Sequence, residues 1–377
     1  MASQFSEKHA IWRANWVLIL ATALLVVIGL ANLYSACAIR MEDGINFRPF
    51  FSKQIGFLGI GLFCFVVCMM FNYRHLENIA WPFFIFSIIL LLLVPLIGKE
   101  AGGSRRWIPL GAINLQPSEV AKISMMILAA KLLAGAKETL GWGEFFKVLS
   151  VGLIPGLLVF MQPNLGTCII ILLILGGMIL FRGIKAPILK LGLILILVSP
   201  LMMWKVVFPN LKPYQQQRIL SFVDPAKASS DALFQRNQAL IAIGSGQTWG
   251  KGWMEGPQNN LLYIPEKHTD YAIAVFSEER GFVGSVALMG LFCLFLLSIF
   301  STARNAKDRF GSFLCVGVFF YFFWQILINI GMVSGMLPVV GVPLPFFSYG
   351  GTSALVNFSL LGIVVSVSMR RFVFKLS

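Results

Sequence analysis

The chain has 377 residues, of which 58% are hydrophobic and 12% charged, with a mean hydropathy of +0.82. These values exclude a water-soluble globular domain and identify an integral membrane protein. The net charge of +14 lies mostly in tails and short loops, where it sets topology and attracts anionic lipid; it gives no reason to invoke nucleic acid.

Crossing a hydrocarbon layer of ~30 Å takes roughly 20 helical residues. Ten apolar runs that suit this length follow one another at 15–36, 54–71, 78–97, 117–135, 146–161, 165–182, 186–207, 281–303, 310–333 and 349–369. They are continuous and do not alternate with period two, which favours helices over a barrel. The first run is too long for the apolar core of a signal peptide and is expected to stay as an anchor. The fifth is short and carries Pro155, so a bend or a face turned away from lipid is expected there. Sorting the tails and short connections onto alternate sides puts fifteen Lys and Arg on one side and six on the other, which places both termini in the cytoplasm. The expected fold is an all-α polytopic membrane protein with ten transmembrane helices. Residues 1–377 form one membrane domain, and 208–280 form a large structured extracytoplasmic loop between helices 7 and 8.

A loop of that length is functional or disordered more often than not, and its content argues for structure. Stretches 218–222, 240–243 and 261–264 supply apolar anchors among polar residues, so short helices on the outer membrane surface are expected. Residues 281–300 suffice to cross the bilayer, which leaves Glu278, Glu279 and Arg280 at the outer interface instead of at costly depth. The glycine-rich run 244–253 is not a nucleotide loop, because no strand precedes it and Lys251 is followed by Gly in place of Ser or Thr. It reads as turn-making in a compact loop. The six cysteines show no pairing pattern and the three histidines are scattered, so neither a disulfide framework nor a zinc site is expected.

Asp270 ends the polar segment Ile264-Pro265-Glu266-Lys267-His268-Thr269-Asp270 at a polar-apolar boundary. Either Thr269 or Asp270 caps a helix there, or Asp270 does chemistry. Glu278 and Glu279 are poor catalytic partners for it, since eight or nine residues along a helix give roughly 12 Å of rise. A second polar set follows Gln116-Pro117-Ser118, where Glu119 and Lys122, three apart, share one helix face inside the membrane. They form a self-neutralising ion pair or line a substrate path. Asn164, opening the sixth helix at the same depth, is expected to join them. Arg105 and Arg106 run against the charge asymmetry of the outer side and are candidates for gripping an anion. The stretch 343–353, which contains Ser348, caps the outer end of the tenth helix as a packing loop unless its hydroxyls line a cavity.

Arg105-Arg106-Trp107-Ile108, Gln116-Pro117-Ser118-Glu119, Gln162-Pro163-Asn164-Leu165-Gly166-Thr167, the segment ending at Asp270 and 343–353 resemble, in order, the successive signatures of one family. This is the SEDS family of bacterial shape, elongation, division and sporulation proteins, and the resemblance covers nearly the whole chain. Gly250-Lys251-Gly252-Trp253 resembles its RodA (elongation) branch more than its FtsW (division) branch. The resemblance implies a peptidoglycan glycosyltransferase that polymerises lipid II at the outer face of the bacterial cytoplasmic membrane, with Asp270 as the essential aspartate. It also implies Arg105, Arg106, Glu119, Lys122, Asn164, His268, Thr269 and Ser348 as substrate contacts. No organic cofactor is implied, Mg2+ or Mn2+ are candidate helpers at the pyrophosphate, and the partners are a class B penicillin-binding protein transpeptidase and other elongation-complex membrane proteins. The family usually has Asp where Asn164 stands; an amide can hydrogen-bond but cannot balance Lys122. Tyr271-Ala272 likewise replace the more usual Phe-Ile after the aspartate. A lipid II flippase and a non-catalytic scaffold for wall enzymes are the other classes. A transporter needs its key charges near mid-membrane, so the outward placement of Asp270 favours chemistry.

Overall fold

The structure, a computed structural model, describes residues 13–37, 48–101, 104–110, 113–136, 139–211, 213–227, 229–257 and 268–371. Each of the ten expected runs falls on a helix: α1 (Trp16–Cys37), α2 (Arg48–Met70), α3 (Arg74–Ile97), α4 (Pro117–Gly135), α5 (Trp142–Met161), α6 (Leu165–Arg182), α7 (Ala186–Met202), then α10 (Ala272–Arg304), α11 (Arg309–Val333) and α12 (Gly351–Met369). The loop after α7 contributes α8 (Pro213–Val223) and α9 (Ser230–Ser245), which cover the anchors expected at 218–222 and 240–243. The third anchor, 261–264, lies outside the described residues. Among the described residues, eight helices are long and apolar enough to cross a membrane. The other two are α4, which carries Glu119, Lys122 and Lys131, and α7, which has 17 residues and runs into the π-helical turn Met203–Val207.

A small antiparallel sheet, β1 (Lys99–Ala101), β2 (Ser104–Leu110) and β3 (Ile113–Leu115), lies between α3 and α4 in the order β1-β2-β3. It is confined to this one connection and leaves the all-α class of the fold unchanged. Its strands are too short to register beside the apolar runs that flank them, and cross-strand pairs such as Ile108 with Leu115 make it.

In a bundle surrounded by lipid, helix association rests on close approach and on polar links between helices. α2 runs along α12, α3 along α4 and α10 along α11, with α11 also touching α4 and α6. At Gly362 a Cβ would lie 2.5 Å from the Phe65 carbonyl oxygen, so the α2–α12 contact needs glycine. Ser87 and Ser124 hydroxyls meet at 2.6 Å between α3 and α4. At one end, Asn15 donates to the Ser298 carbonyl at 3.0 Å and to Thr302 Oγ1 at 3.1 Å, joining α1 to α10. At that end Asp308 also accepts from the Tyr73 hydroxyl at 2.6 Å, from Arg74 Nε and Nη2 at 3.1 and 2.9 Å, and from the Gly311 amide at 2.8 Å. Burial alone would raise its pKa, but these donors outweigh it and hold the carboxyl below its usual value.

α10 is interrupted at Gly281, whose φ of 66° and ψ of −163° are not helical. The glycine-rich run supplies the main-chain partners that the interruption frees. Gln247 and Thr248 carbonyls accept from the Phe282 and Val283 amides at 2.8 and 3.1 Å, while the Lys251 and Gly252 amides donate to the Glu278 and Glu279 carbonyls at 3.1 Å each. A Cβ on Gly250 would fall 2.2 Å from the Glu279 carbonyl oxygen, so this approach also requires glycine. Glu278 and Glu279, expected at the outer interface, are 0% and 3% exposed because the protein itself covers them. The loop folds back over them, Lys251 Nζ pairs with Glu278 Oε1 at 3.0 Å, and the Ser35 hydroxyl donates to Glu279.

Candidate active site

Asp270 lies just ahead of α10, half-buried. The N-cap position of α10 is taken by Tyr271, whose own side chain makes no capping bond. The main chain of Asp270 is fixed from below: Asn329 Nδ2, on α11, donates to the Asp270 carbonyl at 3.0 Å and to the Val342 carbonyl at 2.7 Å. The side chain rests against Gly341, whose φ of 77° favours glycine. A Cβ placed there would lie 3.2 Å from Asp270 Oδ2 and 3.4 Å from Arg218 Nη1. Acid and guanidinium therefore share one glycine face, which a side chain at 341 would fill.

Arg218 comes from α8, and Arg236 from α9 is locked to α8 by its bond to the Ser221 carbonyl at 2.7 Å. Both act on Tyr271. Burial raises the phenol, the Asp270 charge raises it further, and the two arginines oppose that rise; the outcome is about 12. Tyr271 is thus neutral near pH 7 and offers no competing base. Neither arginine was singled out from sequence as a site residue. No scarcity of charge marks them, since the 208–280 segment that holds both also holds Lys212, Lys227, Lys251, Lys267 and Arg280.

Glu119 and Lys122 pair at 2.7 Å, with the Lys122 side chain only 3% exposed. Tyr321 on α11 covers them: its hydroxyl stands 3.3 Å from Glu119 Oε2 and 2.9 Å from Asn357 Oδ1 on α12, and Lys122 Nζ lies 4.9 Å from its ring centroid. Asn164 does not hydrogen-bond to this pair, contrary to expectation. It is the N-cap of α6 and accepts from the Thr167 amide at 3.4 Å, the local use to which a short amide at a helix start is best suited.

Arg105 and Arg106 are neighbours on β2, and successive side chains of a strand point to opposite faces. Arg105 Nη1 reaches the Pro95 carbonyl at 3.2 Å, whereas Arg106 Nη2 reaches that of Pro163. They do not close on one anion as a pair. Pro163 also accepts from Gln215 at 3.3 Å, and Gln215 stands one helical turn before Arg218 on α8. Arg106 is thereby tied to the helix that presents Arg218 to Asp270.

His268 stacks near Phe50, with ring centroids 4.5 Å apart, and its carbonyl accepts from the Tyr349 amide at 2.8 Å. Thr269 beside it is half-buried. Ser348 is turned into its own loop, where its hydroxyl accepts from the Leu344 amide at 3.1 Å and closes the 344–348 turn. That bond serves the packing of the loop. Residues 264–267 of the Asp270 segment lie outside the described residues.

The FtsW/RodA/SpoVE family profile, described as cell cycle protein, matches residues 15–372. The peptidoglycan glycosyltransferase MrdB of Escherichia coli strain K12 is 36% identical over 351 residues, which cover 93% of each chain. Stage V sporulation protein E of Bacillus subtilis strain 168 is 32% identical over 367 residues, 93% of this chain and 96% of the relative. Among solved structures, a chain from a study of how a peptidoglycan synthase complex coordinates polymerization and crosslinking matches with a TM-score of 0.79 at 30% identity, covering 95% of this chain and 98% of the other. The rod shape determining protein RodA of Thermus thermophilus matches with a TM-score of 0.70 at 28% identity, covering 96% and 98%. The chain therefore belongs to the SEDS family, the FtsW/RodA/SpoVE group of cell cycle proteins, and is RodA-like within it.

Proposed function

We propose that this chain is a peptidoglycan glycosyltransferase that polymerises lipid II at the outer face of the bacterial cytoplasmic membrane during cell-wall elongation. In this reading all ten long helices cross the membrane and both termini are cytoplasmic, as the Lys and Arg asymmetry indicates. The names and assemblies of its relatives support the activity and a crosslinking partner, a class B penicillin-binding protein.

The observation that carries the mechanism is the placement of Asp270, half-buried, fixed by its main chain and facing Arg218 across Gly341. Asp270 takes the proton of the acceptor sugar's 4-hydroxyl, and that oxygen attacks the anomeric carbon of the donor. The bond from the anomeric carbon to the pyrophosphate oxygen breaks, and the lipid pyrophosphate leaves with the electron pair. A positioned base is typically worth about 10²–10⁴-fold. Arg106 and Arg218, with Arg105 and Arg236, make up the cationic surroundings that stabilise charge building on the leaving group, while Lys122 stays neutralised by Glu119. Glu119, Asn164, His268, Thr269 and Ser348 shape the site around it. Among the described residues no three His, Cys, Asp or Glu side chains come together. Mg2+ or Mn2+, where bound, would serve as a counter-ion of the substrate pyrophosphate.

The test uses purified full-length protein, wild type and Asp270→Asn, each with and without the transpeptidase partner, supplied with lipid II in the presence and absence of EDTA. Glycan strands from wild type and none from Asp270→Asn are expected. Strands at the normal rate from a folded Asp270→Asn protein would overturn the base assignment. Failure of wild type with its partner present would point to a flippase.

A further inference from the structure

Asn329 is fully buried in α11, at 0% exposure, and has no part in the chemistry above. An amide nitrogen carries two protons, and Asn329 directs both at main-chain carbonyls, Asp270 at 3.0 Å and Val342 at 2.7 Å. Its own Oδ1 is buried and accepts no hydrogen bond. The placement thus leaves one polar atom of Asn329 unsatisfied while serving two carbonyls from distant parts of the chain.

Those carbonyls flank the candidate site. The Asp270 carbonyl stands just ahead of α10, where it accepts from Asn329. Val342 follows Gly341, the residue lying against both Asp270 Oδ2 and Arg218 Nη1. By holding the two carbonyls together, Asn329 sets how far the carboxylate stands from its glycine face and from the guanidinium beyond it.

We propose that Asn329 is a positioning residue for Asp270, clamping the acid's main chain to the Gly341–Val342 segment so that the carboxylate keeps the orientation in which it takes the acceptor proton. This rests on Asp270 being the base. A displacement of about 1 Å at a catalytic group is worth about 10²-fold in rate, which sets the effect to look for. Among the described residues, Arg218 from α8 shares the Gly341 face with Asp270, and Asp270, Arg218 and Arg236 from α9 all bear on Tyr271 of the same segment. A carboxylate released from its seat moves away from Arg218, and its ionised form loses support.

The experiment measures strand synthesis against lipid II concentration over a pH series, with the full chain and its partner, for wild type, Asn329→Leu, Asn329→Ser and Asp270→Asn. Thermal midpoints are recorded alongside. Asn329→Leu keeps the size and removes both donors; Asn329→Ser carries the test if the leucine variant does not fold. The expected result is kcat lowered about 10–100-fold with KM within about twofold of wild type, and the acid limb of the kcat profile moved to higher pH. Unchanged kcat, or a loss of kcat that tracks a lowered thermal midpoint with an unmoved acid limb, would overturn the proposal and leave Asn329 as a packing residue. If Asp270→Asn is inactive while the Asn329 variants keep kcat and acid limb, only the positioning role fails. If Asp270→Asn polymerises normally, the base reading itself fails and takes this one with it.

Discussion

Glu119 and Asp270 are carboxylates toward the same end of the bundle, in very different surroundings. Glu119 has its cation one helical turn away at 2.7 Å, under a tyrosine that bridges α11 and α12. Asp270 is half-buried at the edge of the helices, with its main chain held by Asn329 and its side chain against a bare glycine face. A buried ion pair with its own partner is a closed electrostatic unit, since the attraction offsets the desolvation of both members only in that geometry. An acid whose backbone is fixed and whose side chain stands beside open glycine and a nearby arginine can instead accept a substrate proton. The fold thus keeps charge for cohesion at Glu119 and for chemistry at Asp270.

The largest expected effect tests the second half of that contrast. Asp270→Asn should lower the rate of strand synthesis by about 10²–10⁴-fold with an unchanged thermal midpoint, and a matched loss of stability would show that Asp270 too is structural. The first half is tested at Lys122. Lys122→Met strands Glu119 in the bundle and should destabilise by about 3–5 kcal/mol, read as a lowered thermal midpoint in detergent. Joint replacement, Glu119→Gln with Lys122→Met, should restore most of it. If the double variant is as unstable as the single one, the pair is not self-contained.

Arg218→Gln should leave stability alone and lower kcat by about tenfold, the scale of one charge-assisted hydrogen bond made to charge that builds in the transition state. Unchanged kcat and KM would remove Arg218 from the substrate's surroundings. The smallest effect is expected at Asp308, a third carboxylate whose donors are all built in. Because its folded pKa lies below the unfolded value, its stabilisation is present above about pH 3.9 and is lost as pH falls through the folded value. Asp308→Asn should therefore lower the thermal midpoint slightly at neutral pH, and the gap to wild type should close on acidification. A gap that widened in acid would contradict the ion-pair account of that corner.

The sequence by itself determined the membrane class, the ten helical runs and the candidate acid. Each is a local property: a run of some twenty apolar residues has one economical conformation in hydrocarbon, and a lone carboxylate at a polar-apolar boundary is conspicuous without a structure. The Glu119–Lys122 pairing was also legible, because three residues along a helix fix the distance between side chains. What Asn164, Ser348, Glu278 and Glu279 touch is not legible for the opposite reason. Asn164 caps α6, the Ser348 hydroxyl accepts from the Leu344 amide, and the two glutamates lie beneath a glycine-rich loop whose amides and carbonyls match the break at Gly281. Only the tertiary structure decided that Arg218 and Gly341, 52 and 71 residues from Asp270 in either direction along the chain, stand beside it, and that Asn329 holds the acid from below. Such meetings depend on how α8, the 334–350 loop and α11 pack together, and no spacing within one segment encodes them.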